Sequence, residues 1–422
     1  MKVFATALVV LFVASGMVAA METEAEVDDS VIAMLGEDES RNLGDSDAVG
    51  SLEGSAMGMD ETAEFEQFIH RHGKRYRDAL EHRARFHVWR DNLGFVRKWN
   101  ADSSKSFKLG MNEFADLTDD EFAAGYLNSN LHEEYLKSET FQSESEETLL
   151  QEGAGAGTET AAQAGYYDIR WHKNTGKAPE SADWTKVGAI SEVNNQAKCF
   201  ACYAFASTGA IEAALVIQGK PLVKLSAQQI VDCSTPSSGF MNHGCKGGTM
   251  VKSYKYIIKN GLMKWTDYGY RTDLNSRPEC KLMYARCKYH KQKVAQHIEG
   301  YVNIRKGSEK DLMNAVGMRP VSAAIDAHHR PFKLYRSGVF SLDACTTHLT
   351  HGLLVVGYGK ESGKKYWKVK NSWGTSWGQN GFGKVVRDQN MCAIGNWANY
   401  PIIPHDHVHT VSSLSELGDN PF

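Results

Sequence analysis

Nowhere in the 422 residues does an Asn-x-Ser/Thr triplet occur. A sorting route that depends on an N-linked glycan is therefore not supported. Beyond the first twenty residues no apolar run is long enough to span a bilayer, which excludes a polytopic membrane protein. No internal repeat is found, which excludes a solenoid or array. Aromatic residues are missing from positions 21–60, a stretch that is also acidic and contains glycine and serine. Such a segment cannot bury enough apolar surface to order itself, so it is expected to be disordered.

What is present begins with MKVFATALVVLFVASGMVAA: one lysine, an apolar run, then small residues. Val18 and Ala20 suit the −3 and −1 positions of a signal peptidase site, so residues 1–20 read as a secretory signal; an uncleaved anchor is the alternative. The eight cysteines are then expected to mature in an oxidising compartment. The net charge of −4 conceals an asymmetry. Residues 178–422 hold 30 Lys+Arg against 18 Asp+Glu, and the first 177 residues hold 17 against 33. The +12 and −16 halves can attract each other, and acid weakens that attraction. A disordered acidic leader with no partner is the plainer explanation.

From Glu61 to Asn100, Phe65, Phe68, Ile69, Tyr76, Phe86, Trp89, Leu93 and Val96 recur at helical spacing, which predicts two amphipathic helices broken near Gly73. Residues 107–116 read as a short strand and turn. Residues 139–165 are polar and of low complexity, as in an exposed linker open to proteolysis. From Ala178 the chain turns globular. Cys202 to Gln218 is apolar at i, i+3 and i+4 and stops at Gly219; LSAQQIVDC (225–233) starts a second helix with Ser226 as its cap. After residue 290, alternating or apolar runs between glycine-rich turns predict strands.

Cys202 stands at the predicted start of the apolar helix, where unpaired N–H groups and the helix dipole favour a thiolate. A thiolate nucleophile needs a base, and THLTHGLLVVGYG (347–359) offers His348 and His351. Asn371, followed by Trp373 and Trp377, can orient and shield an imidazole. Gln196, six residues before Cys202, can add a side-chain N–H to the Cys202 backbone N–H as donors to an oxyanion. Each feature alone is weak, because a cysteine at a helix start is usually buried structure.

Together they form a pattern. Cys199-Phe200-Ala201-Cys202-Tyr203, with His351 149 residues on and Asn371 another 20 on, resembles the papain/cathepsin signature. The likeness to cathepsin L-type cysteine proteases runs over 61–401. It includes APESADWTKVGAISEVNNQAKC, KLSAQQIVDCS, GCKGG, NSWG and NMCAIGNWANYP. Upstream, Glu81, Arg85, Trp89, Asn92, Val96 and Asn100 match the spacing of the inhibitory prosegment, with Trp for Phe and Val for Ile. Gly110, Asn112, Phe114 and Asp116 fit its second motif.

The resemblance implies an α+β, papain-like two-domain fold, with a helical left domain and a β-barrel-like right domain, preceded by a helical prosegment. The expected division is signal 1–20, acidic leader 21–60, inhibitory prosegment 61–120, linker with the activation cleavage 121–177, protease domain 178–401 and tail 402–422. It implies a secreted or vacuolar/lysosomal endopeptidase acting through Cys202, His351, Asn371 and Gln196. The zymogen would be cut between about Gln142 and Ala178, and acid would help release the prosegment. Gly247 and Gly248 would let substrate backbone pair closely, with Phe200, Met250, Ala324, Thr350, Trp373 and Trp397 also lining the substrate cleft. Implied disulfides are Cys199–Cys245 and Cys345–Cys392, with Cys233 joined to Cys280 or Cys287 and Cys280 favoured. Implied partners are peptide and protein substrates, the chain's own prosegment and cystatin-type inhibitors. No cofactor, metal, nucleic acid or lasting membrane anchor is implied, and a monomer is expected.

Four positions depart from the pattern. Phe200 replaces the usual glycine and should crowd the S1 wall or demand another backbone conformation. Tyr203 replaces Trp. Thr350 stands where Asn or Asp often precedes the histidine. Trp397 falls at the S2 floor, where it would disfavour large P2 side chains. A thioredoxin-like couple at Cys199/Cys202 would leave His351 and Asn371 without a role. A zinc site there lacks two further ligands, and the tail histidines His405, His407 and His409 read as a solvated extension. A disabled protease fold used as a binding or regulatory protein is the remaining alternative.

Overall fold

The computed structural model describes residues 52–138, 168–176, 178–271, 287–405 and 410–411. The chain divides into two compact units, residues up to His87 and residues from Val88. In the first, helix α1 (Leu52–His72) and the start of α2 (Ala79–Ala101) meet through aromatic rings. Phe65 is fully buried and touches Phe68, Tyr76, His82 and Phe86 at centroid distances of 5.3 to 6.1 Å. Gly73, at φ +60°, makes the break between the helices. One expectation needs correction: α1 begins at Leu52, inside the segment 21–60 read as disordered. Leu, Glu, Ala and Met in that stretch are good helix formers and extend the helix backwards.

The second unit continues with β1 (Phe107–Leu109), α3 (Asp119–Tyr126) and a helix α4 over 131–138. Then follow β2 (Asp168–His172), β3 (Ala182–Asp183), α5 (Cys202–Ile217), α6 (Ala227–Cys233) and α7 (Met250–Asn260). The later chain gives β4 (Leu262–Met263), β5 (Val294–Gln296), β6 (Gly300–Asn303), α8 (Glu309–Met318) and β7 (Val321–Ile325). It ends with α9 (Arg330–Lys333), β8 (Tyr335–Phe340), β9 (His351–Glu361), β10 (Lys364–Lys370), β11 (Phe382–Val386), β12 (Ala398–Ile402) and β13 (Thr410–Val411). The large sheet runs β1-β8-β11-β10-β9-β7-β12-β6-β2-β13, with β3 also on β9. Helices thus come first and strands later, as the sequence texture predicts.

Helix α5 is buried from Cys202 to Leu215. Its alanines and Gly209 let it lie close on the sheet: a Cβ on Gly209 would stand 3.0 Å from Leu354 Cδ2 of β9. A helix apolar on every side belongs in a core. Ser226 caps α6 by accepting the Gln229 N–H, and Gly219 follows α5 with φ +81°.

Two boundaries move. β2 lies within the expected linker 121–177, yet it pairs in parallel with β6, from Asp168 opposite Gly300 to Trp171 opposite Asn303. His172 is fully buried between Tyr400 Oη (3.0 Å) and Asn314 Oδ1 (2.8 Å). The enzyme's sheet therefore begins by residue 168. β13, within the expected tail, closes on β2. A further correction concerns disulfides. Cys199–Cys245 and Cys345–Cys392 are bonded, but Cys233 is bonded to Cys287, not to the favoured Cys280. Cys280 lies outside the described residues. Next to Cys287, the Lys288 N–H donates to Tyr268 Oη (3.2 Å), which donates to Asp232 of α6 (2.6 Å) and so holds Cys287 beside Cys233.

Candidate active site

Cys202 is the first residue of α5, fully buried, and the free cysteine among the described residues. Cys199 is tied to Cys245, which pins the segment before the helix to the glycine loop 244–248. Across from Cys202, β9 begins with His351 and Gly352. A Cβ on Gly352 would lie 3.5 Å from Cys202 C and Tyr203 N, so the strand is in van der Waals range of the helix start. The Gly352 backbone hydrogen-bonds the Cys202 sulfur.

His351 Nε2 lies 2.8 Å from Asn371 Oδ1. That oxygen also accepts the Ser372 backbone N–H at 2.8 Å, which fixes which end of the amide is oxygen. Nε2 must therefore carry the proton, and Nδ1, buried without a hydrogen-bond partner, carries the lone pair. This is the tautomer of a base. Trp373 lies 4.4 Å from the imidazole, centroid to centroid, within a cluster with Phe114, Phe122, Phe332 and Trp377. Gln196 is fully buried. Its Oε1 accepts from Ser372 Oγ at 2.8 Å, and its Nε2 donates to Cys199 O (2.8 Å) and Tyr126 O (3.1 Å).

The helix start was expected to favour a thiolate. In this state burial pushes the Cys202 thiol up to about 11, against hydrogen bonds from Gly352, Tyr203 and its own N–H. Burial likewise pushes His351 down to about 4, against the Asn371 hydrogen bond. Both groups are neutral at neutral pH, because desolvation penalises charge more than the dipole rewards it.

The segment after α3 bonds to residues that surround the pair. Thr118 and Glu121 cap α3 reciprocally, a Thr-x-x-Glu box visible in the sequence but not read from it. The helix delivers the Tyr126 carbonyl to Gln196. Asn128 N donates to Thr350 O (2.8 Å), and Asn128 Nδ2 donates to Gly248 O (3.0 Å). Gly247, at φ +109°, would drive a Cβ to 2.4 Å from Asn128 Oδ1. Leu131 and Tyr135 of α4 then join one buried apolar cluster with Met250, Ala324, Leu349 and Trp397. The Tyr135 and Trp397 rings are 5.5 Å apart. The apolar i, i+4 pair at 131 and 135 was the available signal for this contact.

The remaining expected positions fall as follows. Phe200 is half-buried, donates its N–H to Cys245 O at 3.2 Å and has no positive φ, so its side chain is accommodated without a left-handed backbone. Thr350 Oγ1 accepts from Ala327 N. Glu81 and Arg85 form an i, i+4 pair on α2. Trp89 and Val96 are buried. Asn92 donates to Ala115 O and Leu117 O, and Asn100 makes two bonds with Leu109. Asn112 Nδ2 reaches Lys333 O, Gly110 N reaches Leu334 O, and Phe114 and Asp116 are buried. Ion pairs join this region to the later chain: Asp91–Arg330 (2.5 Å), Asp119–Lys333 (2.6 Å) and Glu134–Lys252 (2.5 Å).

A buried thiol at a helix start, an imidazole held by an amide, and a preceding segment laid across both define a latent thiol hydrolase. Comparison with known proteins agrees. Residues 178–402 match the papain family cysteine protease domain, and residues 65–122 match the cathepsin propeptide inhibitor domain. The chain belongs to the papain family of cysteine proteases and carries an inhibitory propeptide domain. It is 36% identical over 321 residues to cysteine proteinase 3 of Dictyostelium discoideum, covering 75% of this chain and 84% of that protein. It is 35% identical over 338 residues to cathepsin S of Bos taurus, covering 79% and 90%. Among solved structures it resembles digestive procathepsin L 3 of the Tenebrio molitor larval midgut. The TM-score is 0.66 at 30% identity, over 81% of this chain and 99% of that one. The fold is papain-like with a helical prosegment.

Proposed function

We propose that this protease is an endopeptidase made for the secretory pathway, with Cys202, His351, Asn371 and Gln196 as its working residues. His351 Nδ1 takes the thiol proton, and the sulfur attacks the scissile carbonyl. The carbonyl oxygen gathers charge between Gln196 Nε2 and the Cys202 N–H. His351 returns the proton to the leaving amine, which leaves a thioester. Water, deprotonated by the same nitrogen, then frees the acid and restores the thiol. Asn371 holds the ring so that Nδ1 stays the basic atom.

The observation that carries this reading is the Tyr126 carbonyl on Gln196 Nε2. A peptide carbonyl already sits on the donor that the oxyanion would use. From there the chain passes Gly248 and ends on Trp397, so it leaves toward the S2 floor in the C-terminal direction. A substrate would meet Trp397 with a residue N-terminal to its scissile bond. The prosegment thus occupies substrate sites in reverse and cannot be cut there. Acid release rests on the charge split between the acidic first 177 residues and the basic remainder, and prosegment Asp91, Asp119 and Glu134 each meet a cation of the later chain. The emptied cleft would take peptides and cystatin-type inhibitors. The signal-like residues 1–20, and the likeness to a KDEL-tailed cysteine endopeptidase of Arabidopsis thaliana, support the secretory route.

The test is covalent labelling with an epoxide thiol inhibitor before and after acid treatment. Label on Cys202 only after acid is expected. No label in the processed form would sink the proposal.

A further inference from the structure

One cluster of side chains takes no part in the chemistry above. β7 pairs with β9 through Ile325 opposite His351, and the next residue, Asp326, turns out of the sheet. Its side chain is fully buried. His328 presents Nδ1 to Asp326 Oδ1 at 2.5 Å, and His329 presents Nε2 to Oδ2 at 3.1 Å. The two rings lie 3.9 Å apart, centroid to centroid. One ligand atom from each of the three residues falls within 4.8 Å of the others.

We propose that Asp326, His328 and His329 form a binding site for a divalent transition-metal cation of the zinc class, on the loop that leaves β7 beside His351.

Two imidazoles and one carboxylate are the donor set of a three-ligand zinc site with one position left for water. Imidazole selects Zn2+, Cu2+ or Ni2+ over the oxygen-seeking Ca2+ and Mg2+. The carboxylate is already aimed by an outer layer of donors. Thr346 gives both its N–H and its Oγ1–H to Asp326 Oδ2, each at 2.8 Å. Oδ1 receives, besides His328 Nδ1, only the long 3.4 Å bond from the His328 N–H. Outer hydrogen bonds of this kind hold a ligating carboxylate in place. Ligands on one tetrahedral zinc, with bonds of about 2.0–2.1 Å, stand roughly 3.3 Å apart. The present 2.5 and 3.1 Å separations are closer, so the cation enters by parting His328 from the carboxylate by about 0.8 Å and His329 by about 0.2 Å. His328, whose side chain is 44% exposed, is free to make that movement. The loop also leads to Thr350, since Ala327 N bonds Thr350 Oγ1, and Thr346 directly follows Cys345 of the Cys345–Cys392 bridge. A bound ion would therefore brace the two loops that flank His351. The i, i+2, i+3 order of the ligands gives no helical or strand signature, which is why the sequence reading passed over it.

The test uses the full chain with Cys202→Ala, which removes the competing thiol and prevents self-cleavage. His405, His407 and His409 are changed to Ala in a parallel chain to account for the tail. ZnCl2 is titrated by calorimetry, and CoCl2 by visible absorption. Expected are one equivalent of Zn2+ in both chains, a four-coordinate Co2+ spectrum, no matching uptake of CaCl2, and a raised melting temperature with Zn2+. The double variant His328→Ala/His329→Ala should weaken Zn2+ binding by at least about tenfold. Because Asp326→Asn could unsettle the Thr346 loop, His328→Ala alone, at an exposed position, is the second variant, and it should also weaken binding. Absence of binding, binding unchanged in the histidine variants, loss only with the tail histidines, or equal binding of Ca2+ would each overturn the site and leave a hydrogen-bonded acid–imidazole cluster.

Discussion

Gln196 divides its side chain among three neighbours: Ser372 Oγ holds the carbonyl end, while Cys199 O and Tyr126 O share the amide end. Only the last is surrendered when the prosegment leaves, so the donor stays aimed. Gln196→Ala in the processed enzyme should lower kcat by about 10²- to 10³-fold with little change in KM, as steady-state kinetics would reveal. Trp397 makes the opposite kind of contribution, by filling space. It is buried beside Ala324, whose N–H it binds through its carbonyl. A peptide panel should show Val or Ala at P2 preferred over Phe, and Trp397→Ala should raise kcat/KM for Phe-P2 by about tenfold or more. Equal or better turnover of Phe-P2 by the unaltered enzyme would refute this. At this scale the sequence was most legible. Cys202, His351, Asn371 and Gln196 are named from residue type and spacing, and the structure bonds His351 to Asn371 and Gln196 to the adjoining Ser372. The reversed electrostatics were not legible: a helix N-terminus is visible in a sequence, but the burial that outweighs it depends on the packed fold.

Strand β1 belongs to the prosegment, yet it pairs with β8, Phe107 opposite Gly338. Gly338 sits at φ +87°, and a Cβ there would come within 2.6 Å of Ser106 O. Gly338→Ala should loosen β1, and a time course of self-processing at fixed pH should run faster than in the unaltered zymogen. Partners more than two hundred residues apart leave no trace in local periodicity, which is why β1 was foreseen as a strand but its neighbour was not. β2 illustrates the same limit. It follows a polar, low-complexity stretch and was read as linker, but its fit beside β6 depends on His172 meeting Asn314 and Tyr400. Cleavage between β2 and residue 178 would sever from the enzyme a strand that is paired with β6. The mature N-terminus, read by intact-mass spectrometry, should therefore fall between residues 142 and 167.

For the molecule as a whole, acid acts on the fold as well as on latency. His351 is held neutral, near 4 against an ordinary 6.5. Below about 6.5 an unfolded chain gains a proton that the folded chain refuses until about 4. This group's contribution is thus complete above 6.5 and is lost as pH falls through that window. Thermal melts of the Cys202→Ala chain should lose stability between pH 6.5 and 4, and His351→Gln should flatten that slope. Cys202 behaves in the reverse sense: its raised value keeps the thiol protonated until far above neutrality. Alkylation by iodoacetamide at pH 7 should be much slower in the zymogen than in the processed enzyme. The charge split between the first 177 residues and the rest was legible from composition alone. Which carboxylates meet which cations (Asp91 with Arg330, Asp119 with Lys333, Glu134 with Lys252) required the fold.

The prosegment is held by a sheet edge, by ion pairs that include Asp91–Arg330, Asp119–Lys333 and Glu134–Lys252, and by an apolar anchor, and it is also tethered to what it blocks. While the chain is whole, its return to the cleft is a unimolecular event at a fixed effective concentration set by the tether. One cut between residues 142 and 167 changes the order of that reaction. β8 becomes a bare edge, and the severed prosegment becomes a soluble ligand that must find it again. Latency then depends on how many molecules share the volume: in a crowded compartment cut enzyme stays largely masked, and on release into a larger volume it unmasks by dilution.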